Sequence, residues 1–238
     1  MLNADSQHLQ RLADNVIAVG RRGRETAAVG RFHAFLSATS ADYFMSFAVP
    51  RPMAGALTAT ADATGWTASV EQLAAHFASH DRALRLEFFQ ELHPTLAPAL
   101  EQAGLTVDKT AAAMSLTPDS LRLPRPTALT LSWLTAGNSV GIRRFLAVQS
   151  DAFGVRIDSG PTGWRPILEA GLADGTMIAA TGEVGGQACC GAVLMIGGGS
   201  AELAGVGTLP AYRRHGYAID LCARVLVERF RRSADPVC

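Results

Sequence analysis

The stretch Ala201-Glu-Leu-Ala-Gly-Val-Gly-Thr-Leu-Pro-Ala-Tyr-Arg-Arg-His-Gly-Tyr-Ala218 decides how the rest of the chain is read. It opens as a strand, turns near Pro210 and enters a segment with Ala218, Leu221, Cys222, Val225 and Phe230 on one face. That spacing predicts a helix from about Arg214 to Arg232. The first turn of a helix carries unpaired N–H groups and the positive end of the dipole, so it attracts anions such as phosphate. Gly216 allows close backbone approach there, and Ala218 keeps the helix start narrow. Arg213 and Arg214 add positive charge to the same end. An ordinary strand-helix connection gains nothing from that placement, whereas a diphosphate-bearing ligand accounts for it.

Working back from this stretch, three strands are expected at Thr176–Glu183, Ala188–Ile196 and Ala201–Thr208, joined at Gly185-Gly186 and Gly197-Gly198-Gly199 as hairpins. A helix is expected near Trp164–Leu172, with Pro166 as a candidate break, and another behind Asn138 with Ile142, Phe145, Leu146 and Phe153 on one face. Leu129, Leu131 and Trp133 alternate as a strand. Pro118, Pro124 and Pro126 mark residues 117–127 as a boundary, which gives halves 1–120 and 127–238.

In the first half, Leu9, Leu12, Val16 and Ile17 form a helical stripe ahead of Gly20. Strands are expected at Arg31–Ser37 and Tyr43–Val49, then a Gly/Thr/Ala loop up to Trp66. Ser69 with Gln72 reads as a capping box for a helix carrying Val70, Leu73, Ala74 and Phe77. Leu84, Leu86 and Phe88 alternate as a strand, Pro94 opens a short helix ended by Gly104, and Leu105–Leu116 is a last extended segment.

The composition excludes several classes. The chain of 238 residues is 48% hydrophobic and 18% charged, so it is globular and large enough to bury a core. Lys+Arg and Asp+Glu balance at 21 each, which argues against general nucleic-acid binding. No apolar run reaches membrane-spanning length, and the first residues show no signal-peptide pattern, so a cytoplasmic protein is expected. Cys189, Cys190, Cys222 and Cys238 fit no zinc spacing. The adjacent pair is expected on opposite faces of its strand, as small buried hydrophobes.

Arg213-x-x-Gly216-x-Ala218, following a strand that ends Val206-Gly-Thr-Leu-Pro210, resembles motif A of the GNAT N-acetyltransferases. The order strand-helix-helix-strand-strand-strand-helix from Thr127 onward also resembles that family. The resemblance implies an α/β (α+β) GNAT fold, with a mixed, mostly antiparallel sheet flanked by helices. It implies acetyl-CoA as cofactor, with Val206, Gly207 and Thr208 pairing with the pantetheine arm. Arg213, Arg214, His215, Gly216, Tyr217 and Ala218 would hold the pyrophosphate, and a small-molecule or peptide amine would be the acceptor. Glu202, eleven residues before Arg213, resembles the family's base position, with Glu183 as the weaker candidate. The first half resembles the degenerate half of tandem GNAT proteins, with Pro50-Arg51-Pro52-Met53 in place of the phosphate turn. Family members continue past the motif A helix with a strand, a helix that often carries a thiolate-protonating tyrosine, and a final strand. Here that strand would begin at Asp235–Cys238, so no such tyrosine is assigned and a covered sheet edge or homodimer is expected. The alternative function is a non-catalytic acyl-CoA-binding or scaffold protein.

The rival signals read more plainly. His76 and His80 have an i, i+4 metal-ligand spacing but no third ligand, so no metal site is assigned. Gly197–Gly199 precedes a strand, which favours a hairpin over a phosphate loop. His215 could shuttle a proton, but in such a turn the amide usually matters more than the ring.

Overall fold

A computed structural model describes residues 4–38, 44–52, 63–155, 157 and 163–238. The chain divides into two compact units, Met1–Ala112 and Ala113–Cys238. The segment after Ala112 belongs with the second unit because Leu116 exchanges backbone hydrogen bonds with Val237, at 2.7 and 2.9 Å. Among the described residues, no helix is long and apolar enough to cross a membrane.

The first unit holds α1 (Ala4–Gly20), β1 (Glu25–Val29), β2 (Phe32–Leu36), β3 (Phe47–Pro50), α2 (Ala63–Ser79) and α3 (Leu96–Gln102). Its sheet is antiparallel in the order β1-β2-β3. Alternation along β2 sends Phe32, Ala34 and Leu36 towards Trp66, Leu73 and Phe77 of α2, while Phe35 packs with Ile17 of α1. β1 has no counterpart in the sequence reading. It is short and largely exposed, and it owes its strand state to the hairpin at Gly30, whose φ is +54°.

Several expectations for this unit are corrected. Ser69 does not cap α2. It lies inside the helix and its hydroxyl donates to the Gly65 carbonyl at 2.8 Å, because burial of Trp66 draws the preceding turn into the helix. The expected strand at Leu84–Phe89 is a single parallel bridge, Ala48↔Leu86. It is held by Ala48 N–H to Arg85 O at 2.8 Å and Glu87 N–H to Ala48 O at 3.0 Å; β3 is too short to template more. Leu105–Leu116 is extended but joins a ladder only at Leu116. Tyr43, Met53 and most of the loop before Trp66 lie outside the described residues.

The second unit holds β4 (Thr130–Trp133), α4 (Ser139–Phe153), α5 (Trp164–Ala173), β5 (Met177–Val184), β6 (Gln187–Gly197), β7 (Ser200–Thr208) and α6 (Tyr217–Arg232). Its sheet is antiparallel in the order β4-β5-β6-β7. The hairpins fall where expected, with positive φ at Gly185, Gly186, Gly198 and Gly199 as type I′ turns require. Asn138 caps α4 by accepting from Gly141 N–H at 2.9 Å, and Gly154 ends that helix in the left-handed conformation. Pro166 does not break α5; it sits in the first turn, where its missing N–H has no intrahelical partner to lose. α6 covers one face of the sheet with Leu221 and Val225 against Ala192 and Leu194. α4 and α5 approach the other face, Phe145 at Gly191 and Gly171 at Met177.

Two irregularities matter. Cys189 occupies a bulge opposite the Gly182–Glu183 step, so Cys189 and Cys190 join one core cluster, 3.9 Å apart, and do not point to opposite faces. Both are free thiols, and burial pushes Cys190 up to about 12, which leaves it inert. The outer edge of β7 is covered neither by Leu84–Phe89 nor by a second chain. Ala201 N–H donates to Pro236 O at 3.1 Å, Cys238 N–H to Ala201 O at 2.8 Å and Leu203 N–H to Cys238 O at 2.6 Å. Val237 thus lies parallel to Ala201 and antiparallel to Leu116, because α6 returns the chain to the start of β7. The fold is α/β, with antiparallel sheets flanked by helices.

Candidate functional site

β7 leaves the sheet at Thr208, makes a 3-10 turn over Pro210–Tyr212 and enters α6 at Tyr217. The intervening residues are shaped by positive φ at Arg214 (+63°) and Gly216 (+79°). A side chain at Arg214 in this region costs about 1 kcal/mol or more, strain of the kind that collects at ligand-binding turns. Among the described residues, the amides of Arg214, His215, Gly216, Tyr217 and Ala218 have no hydrogen-bond acceptor, and no side chain caps α6. A set of unpaired N–H groups at a 16-residue helix start is an anion cradle.

These amides border a groove of about 440 Å³. Its walls are the end of α4 (Ala152, Phe153), the end of β7 (Val206–Thr208) and the turn with the first residues of α6 up to Ile219. Opposite Ala192, β7 carries two residues, Gly205 and Val206, since Gly191 pairs with Gly207 and Val193 with Ala204. This bulge, with Gly205 at φ +56°, interrupts the ladder beside the groove and leaves backbone available to a ligand.

Of the residues expected to bind cofactor, Val206, Gly207, Thr208, Arg213, Arg214, Gly216, Tyr217 and Ala218 line the groove, and His215 does not. Arg213 does more than supply charge. Its Nε donates to Thr208 O at 3.0 Å and its Nη2 to Ala152 O at 2.9 Å, which ties the C-terminal carbonyls of α4 to the exit of β7. His215 Nδ1 lies 2.7 Å from the Arg213 carbonyl and its ring stacks on Tyr217, 5.5 Å between centroids and 10° between planes. The ring is a brace for the turn.

Glu202 pairs with Met195 on β7 and is not part of the groove wall. From Gly205 it lies three strand positions further from α6, about 10 Å at 3.3 Å per residue. Glu183 is committed elsewhere. Its Oε1 accepts from Ser132 Oγ and from Arg144 Nη1, each at 2.8 Å, so it fastens β4 and α4 to β5. Among the described residues no group of three or more His, Cys, Asp or Glu could hold a metal.

Sequence reasoning missed Asp220. This carboxylate, 3% exposed, accepts from Thr127 N–H at 2.8 Å, from Thr127 Oγ1–H at 2.6 Å and from Arg224 at 2.8 and 3.0 Å. Burial alone would push its pKa up, but the Thr127 and Arg224 hydrogen bonds outweigh it and hold the carboxyl below its ordinary value. The clamp sets Thr127 over the start of α6, its methyl 3.6 Å from where a Cβ on Gly216 would stand. The i, i+4 pair with Arg224 was visible in sequence, but the partner 93 residues away was not. The bulge had a signal in Gly205, a lone glycine inside a strand pattern.

No family model matches this chain, and no curated protein matches it. Solved structures do. A GCN5-related N-acetyltransferase from Kribbella flavida aligns over all of this chain and 85% of its own, at 23% identity and a TM-score of 0.73. A functionally unknown conserved protein from Staphylococcus epidermidis aligns over 91% of this chain and 82% of its own, at 13% identity and a TM-score of 0.53. At these identities the likeness establishes the fold, which is that of the GCN5-related N-acetyltransferases.

Proposed function

We propose that this chain is an acetyltransferase that moves an acetyl group from acetyl-CoA to the amine of a small molecule or peptide. The observation that carries the reading is the row of acceptor-free amides at Arg214–Ala218, at the mouth of a groove running along the bulged end of β7. The fold shared with the Kribbella flavida N-acetyltransferase supports it.

The residues present fit this donor. The α6 amides match a pyrophosphate, and Gly216 lets it approach the backbone. The backbone of Val206–Thr208 would pair with the pantetheine arm, Arg213 holds the two walls together, and Thr127 with Asp220 fixes the roof. Acetyl-CoA supplies an activated acyl carbon, on which a neutral amine forms the C–N bond as the C–S bond breaks. Glu202 would take the proton from the acceptor ammonium through water, given its offset from the groove. The first unit is assigned no cofactor site, and it would act as a degenerate structural half.

The position of Glu202 outside the groove wall also favours a second reading, a module that binds acyl-CoA without turnover. Incubation of the chain with acetyl-CoA and a panel of amines, read by free-thiol release, separates the two. Saturable release that depends on an amine is expected. Binding of coenzyme A by calorimetry with no release under any amine would establish the second reading, and no binding at all would remove both.

A further inference from the structure

Gln149 lies on α4 one turn before Ala152 and Phe153, on the same face as these two groove residues. Its side chain is 4% exposed, and its buried Nε2 has no hydrogen-bond partner. A buried donor left unmade is costly, and natural structures rarely keep one without a use.

Its surroundings show where that donor could be used. The carboxamide lies against bare backbone of β6 and β7. A Cβ on Gly191 would stand 2.7 Å from Nε2, one on Gly207 3.2 Å from Oε1, and one on Gly205 3.5 Å from Oε1. Gly191 and Gly207 face each other across the ladder, and Gly205 is the bulge residue. Three glycines therefore make room for one carboxamide beside the single interruption in the β6–β7 ladder. An apolar side chain would fill the same space without burying a donor, so packing alone does not explain a glutamine.

We infer that Gln149 is the group that hydrogen-bonds the carbonyl oxygen of the acyl thioester. The inference rests on the cofactor reading above, which fixes the direction of the ligand. With the pyrophosphate at the start of α6 and the pantetheine arm along Val206–Thr208, the acyl end points back along β7 towards Gly205. That is where the carboxamide waits. A thioester carbonyl arriving there accepts from Nε2, and the donor is satisfied only when an acylated ligand is bound. Gln149 then distinguishes acyl-CoA from ligands that lack the carbonyl.

The test compares acetyl-CoA with S-ethyl-CoA, a thioether of the same shape without the carbonyl oxygen, by calorimetry on the full chain. Wild type is expected to prefer acetyl-CoA about tenfold, the ratio that about 1.4 kcal/mol of hydrogen bonding supports. Gln149→Met, similar in length but without a donor, should bind S-ethyl-CoA within about twofold of wild type and lose the preference. Gln149→Glu, which presents a carboxylate to the carbonyl, should reverse it. The retained thioether affinity shows that a variant has folded, and if one variant does not fold the other decides. A preference unchanged in either folded variant, or an equal loss for both ligands, overturns the inference while leaving the cofactor reading intact. A wild-type chain that binds neither ligand overturns the cofactor reading and this inference with it.

Discussion

The two units repeat one topological theme and diverge at the point where a ligand would sit. In each, three antiparallel strands lead into a helix, after which the chain returns as a parallel bridge: Leu86 beside Ala48 of β3, Val237 beside Ala201 of β7. Past the bridge, β3 ends at once at Pro50, and a second proline follows at Pro52. β7 instead continues through its bulge to Thr208 and opens into the acceptor-free turn. Prolines carry no N–H, so the first unit lacks at that point the donors that the second displays. With the two bridges superposed, buried Val49 takes the place of Glu202. One sheet end is a closed core element, the other an open site, and the difference lies in a few residues at the strand exit.

That contrast can be broken most sharply at Glu202. Glu202→Gln keeps the shape of the side chain but cannot take a proton. Turnover is expected to fall about 10²-fold or more, with coenzyme A affinity nearly unchanged. Steady-state kinetics beside calorimetry checks this, and a mutant with full rate at every pH would make the two strands equivalent in this respect. Gly216→Asp attacks the cradle. A carboxylate at the start of α6 occupies the anion site and repels phosphate, so coenzyme A affinity should drop more than tenfold. Near-wild-type binding would dissolve the contrast. The same titration on wild type should give one site per chain, and two equivalent sites would mean that the first unit is not closed.

Smaller effects sharpen the comparison. The folded-state pKa of Asp220 is depressed, so its stabilising contribution is fully present above the ordinary carboxylate range, about pH 4, and is lost as pH falls through the lower folded value. Asp220→Asn should remove this acid-dependent part and destabilise the second unit by about 1–3 kcal/mol at neutral pH, seen by denaturant titration at several pH values. An unchanged acid profile would show that the Thr127 clamp is not built on charge. Val237→Pro removes the N–H that reaches Leu116. It should cost about 1–2 kcal/mol and speed hydrogen exchange at Ala201 and Leu203, whereas persistent protection would point to another cover for that edge. Arg214→Gly relieves a left-handed side-chain residue. It should stabilise the chain by about 0.5–1 kcal/mol, a rise of a few degrees in melting temperature, and a fall would mean that the turn is unstrained.

Local rules made much of this chain legible in its sequence. The glycine pairs at 185–186 and 198–199 require positive φ, Asn138 is a good cap, and the stripe Leu221, Val225 fixes the buried face of α6. The anion cradle was legible for the same reason: it is a contiguous strand-turn-helix whose chemistry belongs to its own backbone. Where two local signals competed, pattern reading failed. Ser69-x-x-Gln72 looks like a cap because three residues also span one helical turn, and only the burial of Trp66 settles which it is.

The sequence by itself determined the helix-start site and the antiparallel hairpins around it, since both depend on neighbours along the chain. Only the tertiary structure decided what meets across it. It brought Thr127 onto Asp220, Arg213 onto the end of α4, Gln149 onto the glycines of β6 and β7, and Val237 between Leu116 and Ala201. Each of these joins residues far apart in sequence, and such pairings follow from how the helices pack on the sheet. No local propensity records that, because the free energy that selects them is burial shared among elements and not a preference of any one segment.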